Sequence, residues 1–321
     1  MPDVAMQRCN KFFLFGYPIA HSTSPAFHTS IFQSLSLPNS FELFPTATIT
    51  QDVLVAIRSP SFGGAAVTMP LKVEMMKHVD VISPEAQEIG SINTIVVQGV
   101  GDDGVPILLG TNTDCIGIRN ALLGHDLGSN PRLEQQLTNK WAFIIGGGGT
   151  TRAAIYALSQ LGIDKIFLIN RDPEETRAII KSFPGYNLSA LNSVDDWQAE
   201  HESNVACGVG AIPSIPPITE GEKNVYAIAR RVFASVNPSG SSRRFLEMAY
   251  KPRRTTMFEI AESSGWQAIG GTEAMVEQGL AQSRLWLLHS DASPYPRHSR
   301  SELGDEVELV ARDKVRYMSD L

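Results

Sequence analysis

The chain has 321 residues, 43% of them hydrophobic and 19% charged, with a net charge of −7. This is an ordinary globular composition, long enough for two domains or one large α/β domain. The acidic balance supplies no basic field for nucleic acid or an anionic membrane, so an anionic ligand has to be held by local donors. Cys9, Cys115 and Cys207 are odd in number and scattered, which fits neither a disulfide framework nor a zinc pattern. The N-terminus is mixed and polar, and no window reaches the ~18 apolar residues of a membrane span. A cytoplasmic protein without a bound metal is expected.

In chain order, residues 11–16 read as a short buried strand. The loop Tyr17-Pro18-Ile19-Ala20-His21-Ser22-Thr23-Ser24-Pro25 follows, then a helix over residues 26–35. Serines at alternate positions ahead of a proline turn their hydroxyls one way; turn and N-cap chemistry accounts for the same spacing. Residues 41–47 read as a strand and 51–58 as a helix. Another apolar strand ends at Thr68, Pro70 is expected to open a helix, and Lys72 falls in its first turn. Lysine there opposes the helix dipole, which points to a role outside the helix unless the side chain is simply solvated. Residues 85–89 read as a short helix, 89–97 as a turn into a strand, and 108–114 as a strand end with a polar tip. Asn93, Asn112 and Asp114 are ordinary turn formers, yet ligands gather at the carboxyl ends of strands in α/β sheets. A helix begins in residues 117–124, and 128–140 read as a polar linker.

The run WAFIIGGGGTTRAAIYALSQLGIDKIFLINRD, residues 141–172, reads as strand, glycine turn, helix and strand. The first strand is a buried apolar run, and four glycines let a ligand approach the backbone. Ala154, Ile155 and Leu158 share a helix face, and Gly162 ends the helix. This is half of a dinucleotide site: helix N-terminal amides favour a pyrophosphate, and the tip of the second strand meets the adenosine ribose. Beyond it, residues 174–183 read as a helix, 204–210 as a strand and 211–213 as a loop. Residues 233–236 and 246–248 are expected to add strands to the same sheet. Helices are expected over 255–265 and from Gly270-Gly271 through Trp286. The tail from 290 to 321 is polar, with an amphipathic helix expected over 301–317.

Taken together in order, these clusters are similar to those of the shikimate/quinate dehydrogenase family over roughly residues 11–287. The matching segments are Gly16-Tyr17-Pro18-Ile19 with His21-Ser22-Thr23-Ser24-Pro25; Val67-Thr68-Met69-Pro70-Leu71-Lys72; Asn93-Thr94; Asn112-Thr113-Asp114; the Gly146–Gly149 turn; Asn170-Arg171; Tyr250 with Pro252 and Thr255; and Gln278-Gly279. The resemblance implies an α/β protein with an N-terminal mixed-sheet substrate domain and a C-terminal Rossmann domain, the last helices returning to the first domain. The expected limits are 1–117 with 272–321, and 118–271. It implies that Ser22 and Ser24 hold a substrate carboxylate, that Thr68, Asn93, Tyr250 and Gln278 hold ring hydroxyls or the carboxylate, and that Lys72 and Asp114 form the catalytic pair. The cofactor positions so implied are Gly146, Gly148, Gly149, Thr150, Asn170, Arg171, Asp172, Ile212 and Gly271. A small anionic cyclic hydroxy acid, quinate or shikimate, is the expected substrate, and a monomer or homodimer the expected state. Lysine suits the proton transfer that accompanies hydride loss from an alcohol when burial lowers its pKa, while a nearby carboxylate raises it again.

Three departures stand out. Ala66 replaces the usual asparagine before Val-Thr, Gly210-Ala211-Ile212-Pro213 replaces Asn-Ala-Thr-Pro, and Ala274 replaces a methionine, with Met275 beside it. The Asn170-Arg171-Asp172-Pro173 ending, with Ala66 and the Phe62–Ala66 run, looks like that of the fungal catabolic quinate dehydrogenases, which use NAD. An NADP-dependent biosynthetic shikimate dehydrogenase is the alternative, and a non-catalytic pathway regulator on the same fold a third. The regulator would be expected to have lost Lys72 and Asp114. The Asp172 carboxylate accepts from ribose hydroxyls and repels a 2′-phosphate; Arg171 either pairs with that phosphate or stacks on adenine. With Pro173 at the first helical position, Asp172 also suits a helix N-cap. In the first role, Asp172→Ser improves use of NADP; in the second, cofactor discrimination measured by initial rates stays as it was.

Overall fold

Short apolar runs separated by amphipathic helices dictate parallel-rich sheets covered by helices. The computed structural model, which describes residues 9–124, 131–237, 240–287 and 303–319, contains two such sheets. They belong to two units, one of Met1–Thr113 with Gln278–Leu321 and the other of Asp114–Glu277.

The first unit runs β1 (Lys11–Gly16), α1 (Ser24–Ser34), β2 (Ser40–Pro45), α2 (Gln51–Ile57), β3 (Phe62–Val67), β4 (Val81–Ile82), α3 (Pro84–Ile89), β5 (Thr94–Val100) and β6 (Pro106–Thr111). Its sheet has the order β2-β1-β3-β5-β6-β4. β1 is parallel to β2 and β3, β5 is antiparallel to β3 and β6, and β4 is parallel to β6. Because β5 alone is reversed, its start shares one edge of the sheet with the ends of β1, β3 and β6. Side chains alternate across the sheet. Phe15, Phe62, Ile95 and Leu108 enter one core with Val53 and Ile57, while Phe12, Leu14, Val96 and Leu109 enter another with Phe32 and Trp286.

The second unit runs α4 (Asp114–Leu123), α5 (Pro131–Leu137), β7 (Trp141–Ile145), α6 (Gly149–Gln160), β8 (Lys165–Ile169), α7 (Pro173–Ser182), β9 (Leu188–Ala190), α8 (Ala199–Asn204), β10 (Val205–Gly210), α9 (Glu220–Phe233), β11 (Arg244–Glu247), α10 (Thr256–Ser263) and β12 (Gln267–Gly270). All its strand pairs are parallel, in the order β12-β11-β10-β7-β8-β9. That is a doubly wound sheet whose order reverses between β7 and β10, where ligands bind in such folds. Phe143 stands at its centre, with ring centroids 5.4 Å from Phe233, 6.0 Å from Phe245 and 5.6 Å from Trp266.

α11 (Gly271–Leu287) spans the boundary between the units in sequence, and α12 (Asp305–Ser319) packs along α1. The partly buried ion pair of Arg284 with Glu308 ties α12 to α11. Among the described residues, no helix is long and apolar enough to cross a membrane.

Several elements differ from expectation. No helix opens at Pro70: residues 69–73 form turns and a bend, and a 3-10 helix begins only at Glu74. The Lys72 carbonyl instead accepts the Ile92 N–H at 2.9 Å, a bond to a distant segment. Lys72 therefore does not sit in a helix's first turn, and the dipole conflict does not arise. Residues 233–236 are not a strand, since Phe233 closes α9. α9 is set by a Thr219–Glu222 capping box and a buried stripe of Val225, Ile228, Ala229 and Val232. The stretch expected as a linker contains α5, and residues 125–130 lie outside the described part, as do 290–302 of the tail. Truncating Phe143 to alanine removes the shared partner of three rings. A loss of about 3–5 kcal/mol is expected, read as a lower urea midpoint for the second unit's unfolding.

Candidate active site

In the first unit the candidate residues follow from the shared sheet edge. After β1 the chain turns: the Ser22 N–H donates to the Ile19 carbonyl at 3.0 Å, and the Ser24 N–H donates to Ser22 Oγ at 3.2 Å. Ser24 then opens α1, whose N-cap Thr23 makes no side-chain capping bond. The β3 loop is fastened to this turn, because the Tyr17 N–H donates to the Met69 carbonyl at 2.9 Å and the Thr68 N–H to the Phe15 carbonyl at 2.9 Å. Lys72, half-buried, follows in the same loop.

Asn93, just before β5, is the hub of the edge. It is 2% exposed, and every valence of its side-chain amide is spent. Oδ1 accepts the Thr113 N–H at 2.7 Å and the Thr94 hydroxyl at 2.7 Å; Nδ2 donates to Thr113 Oγ1 at 3.1 Å and to Gln278 Oε1 at 2.9 Å. One turn along α11, Gln282 Nε2 donates to the Asn93 carbonyl at 3.3 Å and to Thr94 Oγ1 at 3.1 Å. Another turn on, Trp286 Nε1 donates to the Ile95 carbonyl at 2.9 Å. Asn93 and Gln278 are thus brought together. Asn112 is buried and donates to the Ser91 carbonyl at 2.9 Å. Asp114, buried, opens α4 and so begins the second unit. Thr113 lies in the matching Asn112-Thr113-Asp114 segment without a role of its own and Gln282 lies in no pattern, because each acts through a partner distant in sequence.

In the second unit the glycine turn follows β7. Gly146 has φ +135°, and a Cβ on it would lie 2.9 Å from the Ala211 carbonyl oxygen, so the loops after β7 and β10 abut only because it is glycine. Gly148 is the N-cap of α6 without a side-chain capping bond, open space lies over its Cα, and Thr150 is the second residue of the helix. Thr151 Oγ1 is buried and has no hydrogen-bond partner. Uncapped amides, open space and an orphaned hydroxyl fit a dinucleotide pyrophosphate. Ile212 packs on the hydrophobic core, and Gly271 begins α11 straight after β12.

At the tip of β8, Asp172 Oδ1 accepts from the Glu174 N–H at 2.9 Å and the Glu175 N–H at 3.3 Å, which makes Asp172 the N-cap of α7. Asn170 Nδ2 donates to Glu175 Oε2 at 2.8 Å, and Arg171 Nη1 lies 2.6 Å from Glu222 Oε1. Tyr250 follows β11, and burial raises the pKa of its phenol. Glu247 ends β11, is 1% exposed, and accepts from the Ala249 N–H at 3.1 Å and the Thr255 hydroxyl at 3.0 Å. Burial outweighs both bonds and pushes its carboxyl up to about 7. Glu175, Glu222 and Glu247 carry no pattern that singles them out in the sequence.

The doubly wound sheet with its open glycine turn, together with a mixed sheet that has an amide- and hydroxyl-rich edge, defines a two-unit α/β protein with a Rossmann-type second unit. Residues 14–95 match the family model of the shikimate dehydrogenase substrate binding domain. Over those residues the chain is similar to that family's substrate binding domain. Over 287 residues, 88% of its length, it is 38% identical to the pentafunctional AROM polypeptide of Candida tropicalis, and over 277 residues, 86%, it is 38% identical to that of Schizosaccharomyces pombe. It spans 17% of each of those polypeptides. The solved dehydroquinate dehydratase and shikimate dehydrogenase of S. pombe AroM superposes with a TM-score of 0.69 at 35% identity, over 94% of this chain and 52% of that one. A shikimate 5-dehydrogenase of Thermus thermophilus, in complex with NADP(H) and shikimate, gives 0.66 at 27% identity, over 95% and 99%.

Glu247 gives the second unit a pH signature. Its carboxyl titrates at about 7 when folded and near the ordinary 4.5 when unfolded. The folded state holds this proton more tightly, so its stabilising share is complete below the unfolded value and is lost as pH rises through about 7. Glu247→Gln keeps the acceptor and removes the titration. Its melting temperature relative to the parent is expected to be higher at about pH 8 than at about pH 5; a gap that does not move with pH would place the carboxyl at its ordinary value.

Proposed function

We propose that the protein is a dehydrogenase that oxidises a ring hydroxyl of quinate, and also of shikimate, with NAD, giving 3-dehydroquinate or 3-dehydroshikimate. The observation that carries this reading is the shared sheet edge. Ser22 and Ser24 after β1, Thr68 and Lys72 after β3, Asn93 before β5 and Thr113 after β6 gather at one end of one sheet. A polyhydroxylated ring acid needs such a concentration of hydroxyls and amides.

In this reading Ser22 and Ser24 hold the carboxylate. Thr68, Gln278 and Tyr250 hold ring hydroxyls or the carboxylate, and Asn93, expected among them but with its amide valences already taken, holds Gln278 in place for the substrate instead. With its amide oxygen committed to Asn93, Gln278 offers its nitrogen as a donor. Lys72 takes the proton of the hydroxyl being oxidised and returns it in the reverse direction, and Asp114, next after the fixed Thr113, orients the ammonium. Bound nicotinamide supplies the acceptor for the hydride leaving the same carbon. Gly146, Gly148, Gly149 and Thr150 would hold the pyrophosphate, Asn170, Arg171 and Asp172 the adenosine, and Ile212 and Gly271 the nicotinamide side. The carboxylates of Asp172, Glu174 and Glu175 crowd the tip of β8, which favours a ribose hydroxyl over a doubly charged phosphate. The Thermus thermophilus relative was solved with NADP(H) and shikimate, so NADP-dependent shikimate oxidation is the alternative.

Initial rates of nicotinamide reduction, with quinate and shikimate each paired with NAD and NADP, test the proposal. Quinate with NAD is expected to turn over fastest. Shikimate turnover with NADP alone would overturn it in favour of the biosynthetic activity, and a blank grid with ligand binding retained would leave a regulator. Lys72→Ala is expected to lower kcat by ~10²–10⁴ with a much smaller change in KM; near-normal kcat removes Lys72 from the mechanism.

A further inference from the structure

We propose that Glu222 decides which nicotinamide cofactor this protein accepts, by holding the Arg171 guanidinium in an ion pair and so denying it to a 2′-phosphate. The inference rests on the second unit being a dinucleotide site. It transfers the discriminating role from Asp172, in the loop after β8, to a residue on another element, 51 positions along the chain from Arg171.

Recognition of a phosphate by arginine depends on a free guanidinium fork. Arg171 Nη1 is already 2.6 Å from Glu222 Oε1. Exposed ion pairs are usually weak, because ordering two long side chains costs as much as the pair gains. Here one partner is ordered in advance. Glu222 Oε2 accepts the backbone N–H groups of Ile218 and Thr219, each at 3.0 Å, and the Glu222 N–H donates to Thr219 Oγ1 at 3.2 Å. These bonds hold the carboxyl down at about 2, so it stays ionised at working pH.

The first turn of α9 is also seated on the arginine itself. A Cβ on Gly221 would lie 2.9 Å from the Arg171 carbonyl oxygen. The carboxylate is therefore part of the scaffold, and Arg171, with a side chain 65% exposed, is the mobile member. To reach a phosphate it must abandon a partner that cannot follow. Glu175 adds a second fixed negative charge, oriented by Asn170 beside the glycine turn. Asp172, by contrast, spends Oδ1 on two amides of α7. A ribose with a free 2′-hydroxyl makes no demand on the guanidinium, so NAD binding survives the arrangement.

Calorimetric titration of the full chain with NAD, NADP and 2′,5′-ADP tests this. Glu222→Gln keeps an oxygen for the Ile218 and Thr219 amides while removing the charge; the melting temperature is followed alongside. NADP and 2′,5′-ADP are expected to bind about tenfold tighter or more, with NAD changed by less than about twofold. The gain is expected to shrink with added salt and to vanish in the Arg171→Ala, Glu222→Gln double variant. Unchanged binding of NADP and 2′,5′-ADP, in a protein that still binds NAD, overturns the role of Glu222 and leaves the dinucleotide site standing. Should wild type bind none of the three, the dinucleotide reading falls and the proposal with it. Arg171→Ala leaves the α9 cap untouched and gives an independent check. If Arg171 is sequestered, its loss weakens NAD and NADP alike through the adenosine and leaves the ratio of the two affinities unchanged, whereas a drop of about tenfold for NADP relative to NAD shows that it already reaches the phosphate and overturns the proposal.

Discussion

A primary amide sealed from water has to find a partner for each of its hydrogen-bonding valences, because each one left open costs about 1–3 kcal/mol. Asn93 is such a group, and the edge of the first unit's sheet is arranged around that demand. Its acceptors and donors come from the residue after it, from the tip of β6 and from α11, which lies 185 residues downstream. None of these contacts is strong alone. Together they set where β5 starts, how the β6 tip is presented and which face of α11 meets the sheet. Groups built on such a network inherit its rigidity.

The second unit obeys a different constraint. Parallel strands buried on both faces leave little choice but apolar residues within them, so the chemistry is displaced to the strand tips. The fixed charge near the tip of β8 is mainly negative, and much of it is structural: Asp172 caps α7 and Glu222 caps α9. The same carboxylates that satisfy helix amides define the electrostatic character of the ligand edge. In the proposed cofactor reading, stability and selectivity there draw on shared atoms.

Local patterns were legible and distant ones were not. The glycine turn, the helix ended by Gly162 and the Asp172-Pro173 cap are all short-range devices, and all appear in the structure. The helix expected at Pro70 failed because the Lys72 carbonyl is taken by the Ile92 amide, twenty residues away, and tertiary pairing overrode propensity. α9 was missed because its first turn contains Gly221, a poor helix former, and its end carries the β-prone Val232-Phe233. The reason for that glycine, the approach of Arg171, belongs to another element. Ser22 stood out through its alternation with Ser24 ahead of a proline, and Gln278 through resemblance alone; Thr113, Gln282, Glu175 and Glu222 have partners that only the fold supplies.

Gln278, Gln282 and Trp286 are spaced four apart, and each is hydrogen-bonded to the start of β5 or the residue before it. An α-helix advances about 100° per residue. One residue inserted or deleted between positions 278 and 286 would swing part of this row off the strand, and no side-chain exchange would restore it. This stretch of α11 behaves as a ruler of fixed length. Descendants of this sequence are free to vary in composition here far more than in spacing, and changes in chain length should collect elsewhere.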